Sequence, residues 1–238
     1  MTNHIDTGYT AKRWAFDDEV TKVFEDMLRR SIPQYQEMRD AGTSLGARFI
    51  PTDGHSMVLD LGTSRGDQIA RFLELDRDAF YWGFEISEPM LDAASRRFLE
   101  LDQSVSVVRH DLRQGLDGKG GMALVTAVLT MMFIPVEFRQ KLLEEIYEAV
   151  LPGGAFIMVE KVLGAGSVID EMMVEEYHAY KGETGYGADE IERKRLALEG
   201  VLVPSTASQH LDNLRAVGFK GVDCFWRWMN FAGFIGIK

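Results

Sequence analysis

The chain has 238 residues, of which 46% are hydrophobic, and a formal net charge of -11 at pH 7. This length allows one domain with a sizeable core, and no apolar run approaches the roughly 20 residues of a membrane span, so no membrane association is expected. Proteins that grip a nucleic acid backbone usually present a basic face, so the acidic balance favours a small-molecule substrate over direct nucleic-acid binding.

Cysteine and histidine usage excludes two further kinds of site. Cys224 is the only cysteine, and the five histidines lie scattered without the spacing of metal ligands. We therefore expect neither an intrachain disulfide nor a metal centre. The polar start of the chain, residues 1–12, carries no signal-peptide core, which favours a cytoplasmic location.

Helices are predicted at the N-terminus. Residues 16–38 carry apolar side chains at helical spacing, and the pattern breaks before Pro33. Proline suits the first turn of a helix, so we expect a second helix to begin there and to contain Tyr35. We interpret residues 1–50 as an N-terminal helical cap.

The rest of the chain alternates apolar strands with helices. Helices are predicted at residues 67–75, from Ser87, at 136–150 and at 206–217, with a helical insertion at about 168–200. Strands are predicted at residues 57–61, 80–85, 105–108, 124–129 and 155–159, and an antiparallel pair at 222–226 and 231–237. This alternation predicts an α/β, doubly wound, Rossmann-like sheet over residues 51–238, with strand order 3-2-1-4-5-7-6 and the ligand at the strands' carboxyl ends.

The most informative stretch is residues 57–66, an apolar run that reaches Asp60 and then a turn with Gly62 and Gly66. Glycines in such a turn let the backbone approach a ligand closely, and the next helix points its N-terminus at the same place. The following strand ends in Glu85, where nucleotide-binding α/β folds place an acid on a ribose diol. The loop reads G-x-x-x-G, so the dinucleotide fingerprint is incomplete, and no P-loop motif occurs.

Together these features resemble the S-adenosylmethionine site of class I methyltransferases, and further motifs narrow the family. Those motifs are Trp14-x-Phe16-Asp17-x-Glu19-Val20, Val23-Phe24-x-Asp26-Met27, Arg30-Ser31-Ile32-Pro33-x-Tyr35, Asp60-Leu61-Gly62-x-Ser64-x-Gly66, Pro152-Gly153-Gly154-Ala155, Glu160-Lys161 and Lys194-Arg195-x-x-Leu198-Glu199. With them the chain resembles the carboxy-S-adenosylmethionine synthases over residues 14–238. The resemblance implies a homodimer that carboxylates the methyl group of S-adenosylmethionine with prephenate as donor, releases phenylpyruvate, and serves wobble-uridine modification of tRNA.

The resemblance also assigns roles to individual residues. It implies that Arg195 binds the new carboxylate of carboxy-S-adenosylmethionine and that Tyr35 contacts the amino-acid end of the cofactor; we take both as the catalytic candidates. A guanidinium suits this role because it binds a carboxylate through two parallel hydrogen bonds. The remaining cofactor-binding candidates are Gly62, Thr63 and Ser64 at the methionine moiety, Glu85 and Ile86 at the ribose, and Asp111 and Leu112 at the adenine, together with Asp60, Gly66 and Val128.

Three positions depart from the family pattern. Glu85 stands where Asp is more frequent, Thr63 replaces a Cys or similar small residue, and Val128 stands where Asn is expected beside the reaction centre. Because Val128 removes a polar group, two alternatives stay open: transfer of a methyl group to a small acceptor, and cofactor binding without catalysis. Arg195 also has another interpretation, a solvated helix face with i,i+4 ion pairs, and Tyr35 could be a half-buried helix tyrosine.

Overall fold

The computed structural model describes residues 14–52, 54–75, 79–100 and 105–238. Its first half contains α1 (Asp18–Ser31), α2 (Tyr35–Gly46), β1 (Met57–Leu61), α3 (Asp67–Glu74), β2 (Phe80–Glu85), α4 (Glu88–Glu100) and β3 (Val105–Arg109). The second half contains β4 (Met122–Val128), α5 (Val136–Ala149), β5 (Val150–Leu163), α6 (Ser167–Glu183), α7 (Ala188–Leu198), β6 (Ser205–Thr206), α8 (Ala207–Ala216), β7 (Asp223–Trp228) and β8 (Phe231–Ile237). Short 3-10 turns lie at Ala47–Phe49, Leu112–Gln114 and Met131–Phe133.

The two N-terminal helices begin at residues with different backbone conformations. Asp17 caps α1 because its carboxylate accepts the backbone N–H of Val20 at 3.0 Å. Gln34 has a φ of 51°, in the left-handed region, so α2 begins only at Tyr35. Pro33 therefore lies outside the helix, and the prediction that it occupies the first turn is wrong.

The sheet has the predicted order. The strands follow the path β3-β2-β1-β4-β5-β8-β7, and the short β6 pairs with β5 alone. The pairs from β3 to β5 are parallel, whereas β8 is antiparallel to both β5 and β7. With the unpredicted two-residue β6 set aside, this is the order 3-2-1-4-5-7-6, and the doubly wound fold is confirmed.

Strand β5 begins earlier than predicted. Proline and two glycines at 152–154 predict the end of the preceding helix, which does end at Ala149, but the strand predicted at 155–159 runs from Val150 to Leu163. The extra residues form a bulge, because Met122 pairs with Val150 while Leu124 pairs with Ala155. Lys238 stabilises the bulge: its carbonyl accepts the N–H of Gly153 at 2.9 Å and its N–H donates to Gly154 at 3.0 Å.

Helices cover both faces of the sheet. One face packs against α5 and α8 around Leu59, Val125 and Phe156, each fully buried. The other packs against α3, α4 and the turn after α2 around Val58, Phe72 and Ala155. The carboxyl ends of β1 to β5 are thereby held in one row, where the ligand site of such a fold is expected.

The predicted insertion consists of α6 and α7. Tyr177 on α6 packs edge-on against Phe231 with ring centroids 5.4 Å apart, and Tyr180 packs against Trp228 at 5.7 Å. These contacts anchor the insertion to the antiparallel end of the sheet. The boundary at residue 50 stays a prediction, since α2 also packs on α3 and β5. In the described ranges, no helix has both the length and the apolar composition that crossing a membrane requires.

Candidate functional site

The turn after β1 is shaped so that only small side chains fit. Gly62 and Gly66 have φ values of 66° and 75°. A Cβ at Gly62 would lie 2.5 Å from the hydroxyl of Thr130, and one at Gly66 would lie 2.4 Å from the ring of Phe98. The N–H of Thr63 donates to the carbonyl of Phe84 at 2.9 Å, which fixes the turn to β2. Both glycines are therefore required where they stand.

Glu85 lies at the centre of the site and is almost fully buried. Its Oε2 accepts the N–H of Ser64 at 2.8 Å, and its Oε1 accepts the N–H groups of Ile86 and Ser87, each at 2.8 Å. Burial raises the pKa of this carboxyl, while the three backbone hydrogen bonds act in the opposite direction. A carboxylate has about four acceptor positions, so the three bonds leave one, on Oε2, for a ribose hydroxyl.

Asp60 is buried inside the sheet beneath this turn. The hydroxyl of Thr126 on β4 donates to its Oδ1 at 2.6 Å. Burial raises the pKa of Asp60 to about 6, and the hydrogen bond from Thr126 opposes that rise. Asp60 therefore supports the turn from below, where it joins β1 to β4.

The predicted adenine residues lie at the carboxyl end of β3. The N–H of His110 donates to the carbonyl of Glu85 at 2.9 Å, so this end adjoins β2. Asp111 accepts two bonds of 2.9 Å from the Nε of Arg113, which holds the pKa of its carboxyl below the usual range. Leu112 is buried in the core beside it, whereas Ile86 is half exposed.

Val128 and Tyr35 face a buried polar network. The hydroxyl of Tyr35 accepts a hydrogen bond of 2.8 Å from Nη1 of Arg39. In the same network, the side-chain amide of Gln68 donates a hydrogen bond of 3.1 Å to the hydroxyl of Thr43. A cavity of about 10 Å³, room for about one water molecule, lies between Arg39 and Val128. Tyr35 is thus a buried helix residue held by a guanidinium, and Val128 forms the apolar side of the same cavity.

A second, open groove of about 180 Å³ runs between α1, α2 and α3 and includes Tyr35 and Arg39. Three of its four arginines pair with acids: Arg29 with Glu25 at 2.8 Å, Arg97 with Asp67 at 2.6 Å, and Arg71 with Asp40. The fourth, Arg39, donates hydrogen bonds to Tyr35 and Gln68. The groove is lined neither by the glycine turn nor by Glu85. The residues that point to a nucleoside are those at the strand ends.

Arg195 lies on the exposed side of α7. Its Nε and Nη2 each donate to Glu192 at 2.8 Å, and its Nη1 is 3.9 Å from Glu199. In this arrangement the guanidinium occupies a solvated helix face, and its role toward a ligand stays a prediction. A ligand carboxylate would have to take the place of Glu192.

A short segment, residues 14–17, crosses over the carboxyl ends of the strands; we refer to it as the strap. The N–H of Trp14 donates to the carbonyl of Ala197 on α7 at 3.0 Å. The carbonyl of Phe16 accepts a hydrogen bond of 2.6 Å from the hydroxyl of Ser87. The ring of Phe16 lies edge-on to that of Phe133, with ring centroids 5.2 Å apart. The strap therefore joins α7, the loop after β2 and the turn after β4.

The turn after β4 depends on a residue that sequence reasoning did not single out. Glu160 is fully buried, and its two carboxylate oxygens accept the N–H groups of Met131 at 2.9 Å and Met132 at 2.7 Å. The hydroxyl of Thr130 donates to the carbonyl of Leu61 at 2.9 Å, which ties the turn to β1. Glu160 appeared only as part of a family motif, since a carboxylate inside a strand pattern does not reveal its partner.

The structure thus brings most of the predicted site together. The glycine turn, Glu85, Ile86 and the end of β3 form one continuous surface, and they fit a nucleoside because a backbone cradle lies beside a carboxylate with a free acceptor position. Asp60 lies beneath that surface, while Arg195 lies apart from it on the insertion. Among the described residues no group of three or more His, Cys, Asp or Glu side chains could hold a metal ion.

Comparison with known proteins agrees with this architecture. The methyltransferase domain family matches residues 58–154, from β1 into the bulge of β5. An S-adenosylmethionine-dependent methyltransferase from Aquifex aeolicus superposes with a TM-score of 0.59 at 14% identity, covering 93% of this chain and 98% of that one. An O-methyltransferase family protein from Burkholderia thailandensis gives a TM-score of 0.64 at 15% identity, covering 98% and 66% of the two chains. At these identities the likeness shows the fold.

Relatives found by sequence are more similar to this chain than these solved structures are. The carboxy-S-adenosyl-L-methionine synthase of Wolinella succinogenes is 35% identical over 243 residues, covering 100% of this chain and 99% of that protein. The enzyme of the same name from Nautilia profundicola is 33% identical over 227 residues, covering 95% of each chain. The match to the Wolinella succinogenes enzyme covers the whole chain, so it includes the glycine turn, the sheet and the α6–α7 insertion. The chain belongs to the carboxy-S-adenosyl-L-methionine synthase family.

Proposed function

We propose that this protein is an S-adenosylmethionine-dependent enzyme that converts S-adenosylmethionine to carboxy-S-adenosylmethionine. The observation that carries the proposal is the joint arrangement of the glycine turn and Glu85, which the fold places at the carboxyl ends of β1 and β2. Ser64 links the two by donating its N–H to Glu85, which supports a single ligand whose methionine and ribose moieties contact both. Membership of the synthase family names the reaction.

The carboxyl donor that we propose is prephenate. Its ring carboxyl group leaves as a one-carbon unit, its ring hydroxyl leaves as hydroxide, and the ring becomes aromatic to give phenylpyruvate. The methyl group of S-adenosylmethionine loses one proton, which joins the hydroxide as water, and forms a carbon–carbon bond to the carboxyl carbon. The products are carboxy-S-adenosylmethionine, phenylpyruvate and water, so atoms and charge balance without a redox partner.

The chain's own residues hold the ligand in this scheme. The glycine turn receives the methionine moiety, Glu85 accepts a ribose hydroxyl, and Asp111 with Leu112 borders the adenine. Tyr35 and Val128 lie where the amino-acid end and the reacting methyl group are expected. Positioning of two reactants in one site supplies a large part of such a rate enhancement.

The test is a mass measurement on the purified full chain. We expect incubation with S-adenosylmethionine and prephenate to yield a nucleoside that is heavier by one carboxyl group in place of one hydrogen, together with phenylpyruvate. The reaction without prephenate is the control and should leave S-adenosylmethionine unchanged. Unchanged S-adenosylmethionine in the complete mixture, with its binding intact, would refute carboxylation.

A second candidate is transfer of a methyl group, or of a carboxymethyl group, to a small acceptor. Val128 favours it, because an apolar side chain stands where the family resemblance places an amide beside the reacting methyl group. In the same mass measurement this activity would convert S-adenosylmethionine to S-adenosylhomocysteine when an acceptor is supplied. The homodimer and the part in tRNA modification belong to the proposal through the resemblance alone, and the cytoplasmic location is proposed from the composition of the chain.

A further inference from the structure

Arg39 on α2 carries a buried guanidinium that is only partly hydrogen-bonded. The residue is 7% exposed. Its Nη1 donates to the hydroxyl of Tyr35 at 2.8 Å, whereas its Nη2 has only a contact of 3.5 Å with Oε1 of Gln68. Its Nε has no hydrogen-bond partner. A charge that is taken out of water is costly unless hydrogen bonds or an opposite charge replace the water, so Arg39 lacks an acceptor that its burial requires.

The weakly bonded side of Arg39 is the edge that arginines use for carboxylates. Nε and Nη2 donate in the same direction from the planar guanidinium, so they can form two parallel hydrogen bonds to one carboxylate. Arg195 uses this edge for Glu192, with both distances 2.8 Å, and Arg29 uses it for Glu25 at 3.2 and 2.8 Å. The same edge of Arg39 contacts the amide of Gln68 instead.

The acids nearest to Arg39 have other partners. Asp40, Asp60 and Asp67 lie close enough for its positive charge to act on them. Asp40 and Asp67 each pair with another arginine, and Asp60 accepts a hydrogen bond from a threonine hydroxyl. Within the described ranges no acid forms an ion pair with Arg39. The charge of this guanidinium is therefore compensated only at a distance.

Arg39 lies where the open groove and the small cavity meet. It lines the groove of about 180 Å³ together with Tyr35, and it lines the cavity of about 10 Å³ together with Gln68 and Val128. The glycine turn and Glu85, which hold the nucleoside in the proposed function, do not line the groove. A small molecule in the groove would therefore be a second ligand, and it would meet Arg39 beside Tyr35 and Val128, at the proposed reacting end.

The charges on the groove walls favour recognition by this single guanidinium. Four arginines and three acids line the groove, and three of the arginines are in ion pairs. The walls as a whole therefore provide no strong positive field. An anion that binds here is selected by the hydrogen bonds that Arg39 offers.

We propose that the Nε–Nη2 edge of Arg39 binds a carboxylate of the second substrate, a small carboxylic acid that enters through the groove. The proposal rests on the proposed function and deepens it by assigning the acid a site and a binding residue. Tyr35 holds the guanidinium from its other side, so two parallel bonds fix the acid in one orientation. The long contact with Gln68 is exchanged for a charge-assisted pair.

The experiment is calorimetric titration of prephenate into the full chain saturated with S-adenosylhomocysteine, which has no methyl group to react. We expect Arg39→Met to weaken prephenate binding by about thirtyfold or more, as loss of one partner of a buried charge pair does. Arg39→Lys should restore binding only in part, because an ammonium group cannot form the two parallel bonds. Arg215→Met is the control and should bind prephenate like wild type, since Arg215 is exposed and pairs with Asp212 at 3.3 Å.

Gln68→Glu tests the same edge while keeping Arg39. Its carboxylate would take the place of the amide oxygen that lies 3.5 Å from Nη2 and would compete with the ligand for the guanidinium. We expect prephenate binding to weaken while the thermal midpoint does not fall, because the new carboxylate pairs with the buried charge. Wild-type prephenate affinity in Gln68→Glu or in Arg39→Met would overturn the proposal.

Titration of S-adenosylhomocysteine alone shows which molecule supplies the carboxylate. Its affinity should be the same in every variant, which also shows that the variants are folded. If Arg39→Met instead weakens S-adenosylhomocysteine, the guanidinium binds the methionine carboxylate and the proposal is wrong. Wild type that binds S-adenosylhomocysteine but not prephenate also overturns it. Prephenate binding that depends on Arg39, without any carboxylated product, refutes the proposed reaction and leaves the site standing.

Discussion

Glu85 carries the nucleoside assignment at the scale of single residues. It is buried, it bonds three backbone N–H groups, and one acceptor position remains for a hydroxyl. We expect Glu85→Ala to weaken the binding of S-adenosylmethionine by about 1.5–3 kcal/mol, which is the range for a hydrogen bond to a charged group. The same change leaves three amides unsatisfied, so the thermal midpoint should also fall.

Glu85→Gln is the matched variant, since it keeps the length and one carbonyl oxygen but removes the charge. Calorimetric titration of S-adenosylmethionine into both variants checks the assignment. Thermal melts show how much of each change comes from destabilising the backbone turns that Glu85 bonds. Wild-type affinity in Glu85→Ala would place the nucleoside elsewhere in the molecule.

Arg195 separates the two candidate reactions. We expect Arg195→Ala to weaken carboxy-S-adenosylmethionine selectively, because only the carboxylated ligand presents an anion beside the sulfonium. Affinity for S-adenosylmethionine should stay near that of wild type, and so should the thermal midpoint, since exposed ion pairs contribute little. Arg195→Lys should restore product binding only in part, because a point charge cannot form two parallel bonds to one carboxylate.

Dissociation constants for both ligands provide the measurement for Arg195. Arg215→Ala is the control, because Arg215 is also exposed and pairs with an acid three residues away, Asp212 at 3.3 Å. If Arg195→Ala weakens the binding of both ligands equally, or changes the binding of neither, Arg195 belongs to the solvated helix face and methyl transfer is favoured.

At the scale of elements, Glu160 determines how the turn after β4 sits on the glycine turn. Burial raises the pKa of Glu160 to about 8, above its ordinary value of 4.5, so the folded state binds a proton that the unfolded state releases. The stabilisation from that proton is complete below about pH 4.5 and is lost as pH rises toward 8. We expect wild type to lose stability relative to Glu160→Gln across this window, by up to about 1.4 kcal/mol per pH unit.

Denaturant unfolding at a series of pH values checks the Glu160 prediction. The difference between the two proteins cancels other groups, such as His210, whose pKa burial lowers to about 4, and Lys181. Parallel stability curves from pH 5 to 8 would show that Glu160 does not titrate there.

The strands and helices were predictable where the signal is local. Apolar runs and helical spacing mark the elements from β1 to α5, and alternation sets the sheet order. Two boundaries failed for non-local reasons. Gln34 has a left-handed backbone conformation, which the neighbouring Pro33 does not predict. The β5 bulge is hydrogen-bonded to Lys238, about 85 residues further along the chain.

At the scale of the molecule, groups of side chains differ in how far the sequence predicts that they come together. The glycine turn and Glu85 follow strands directly, so their spacing indicates a nucleoside site. Lys161, Lys181 and Lys194 lie far apart along the chain, so no local pattern groups them. Only the packing of α6 and α7 on β5, around Tyr177 and Tyr186, brings those charges together.

The strap has a consequence for how two ligands share this molecule. It continues through Asp17 into α1, which lines the groove, and it contacts the loop after β2 through Phe16, next to Glu85. A ligand that shifts the strap from either side changes the conformations open to the other. The affinities of nucleoside and acid are then coupled, and linkage requires the coupling to be reciprocal: the factor by which one ligand tightens or loosens the other is the factor by which it is itself affected.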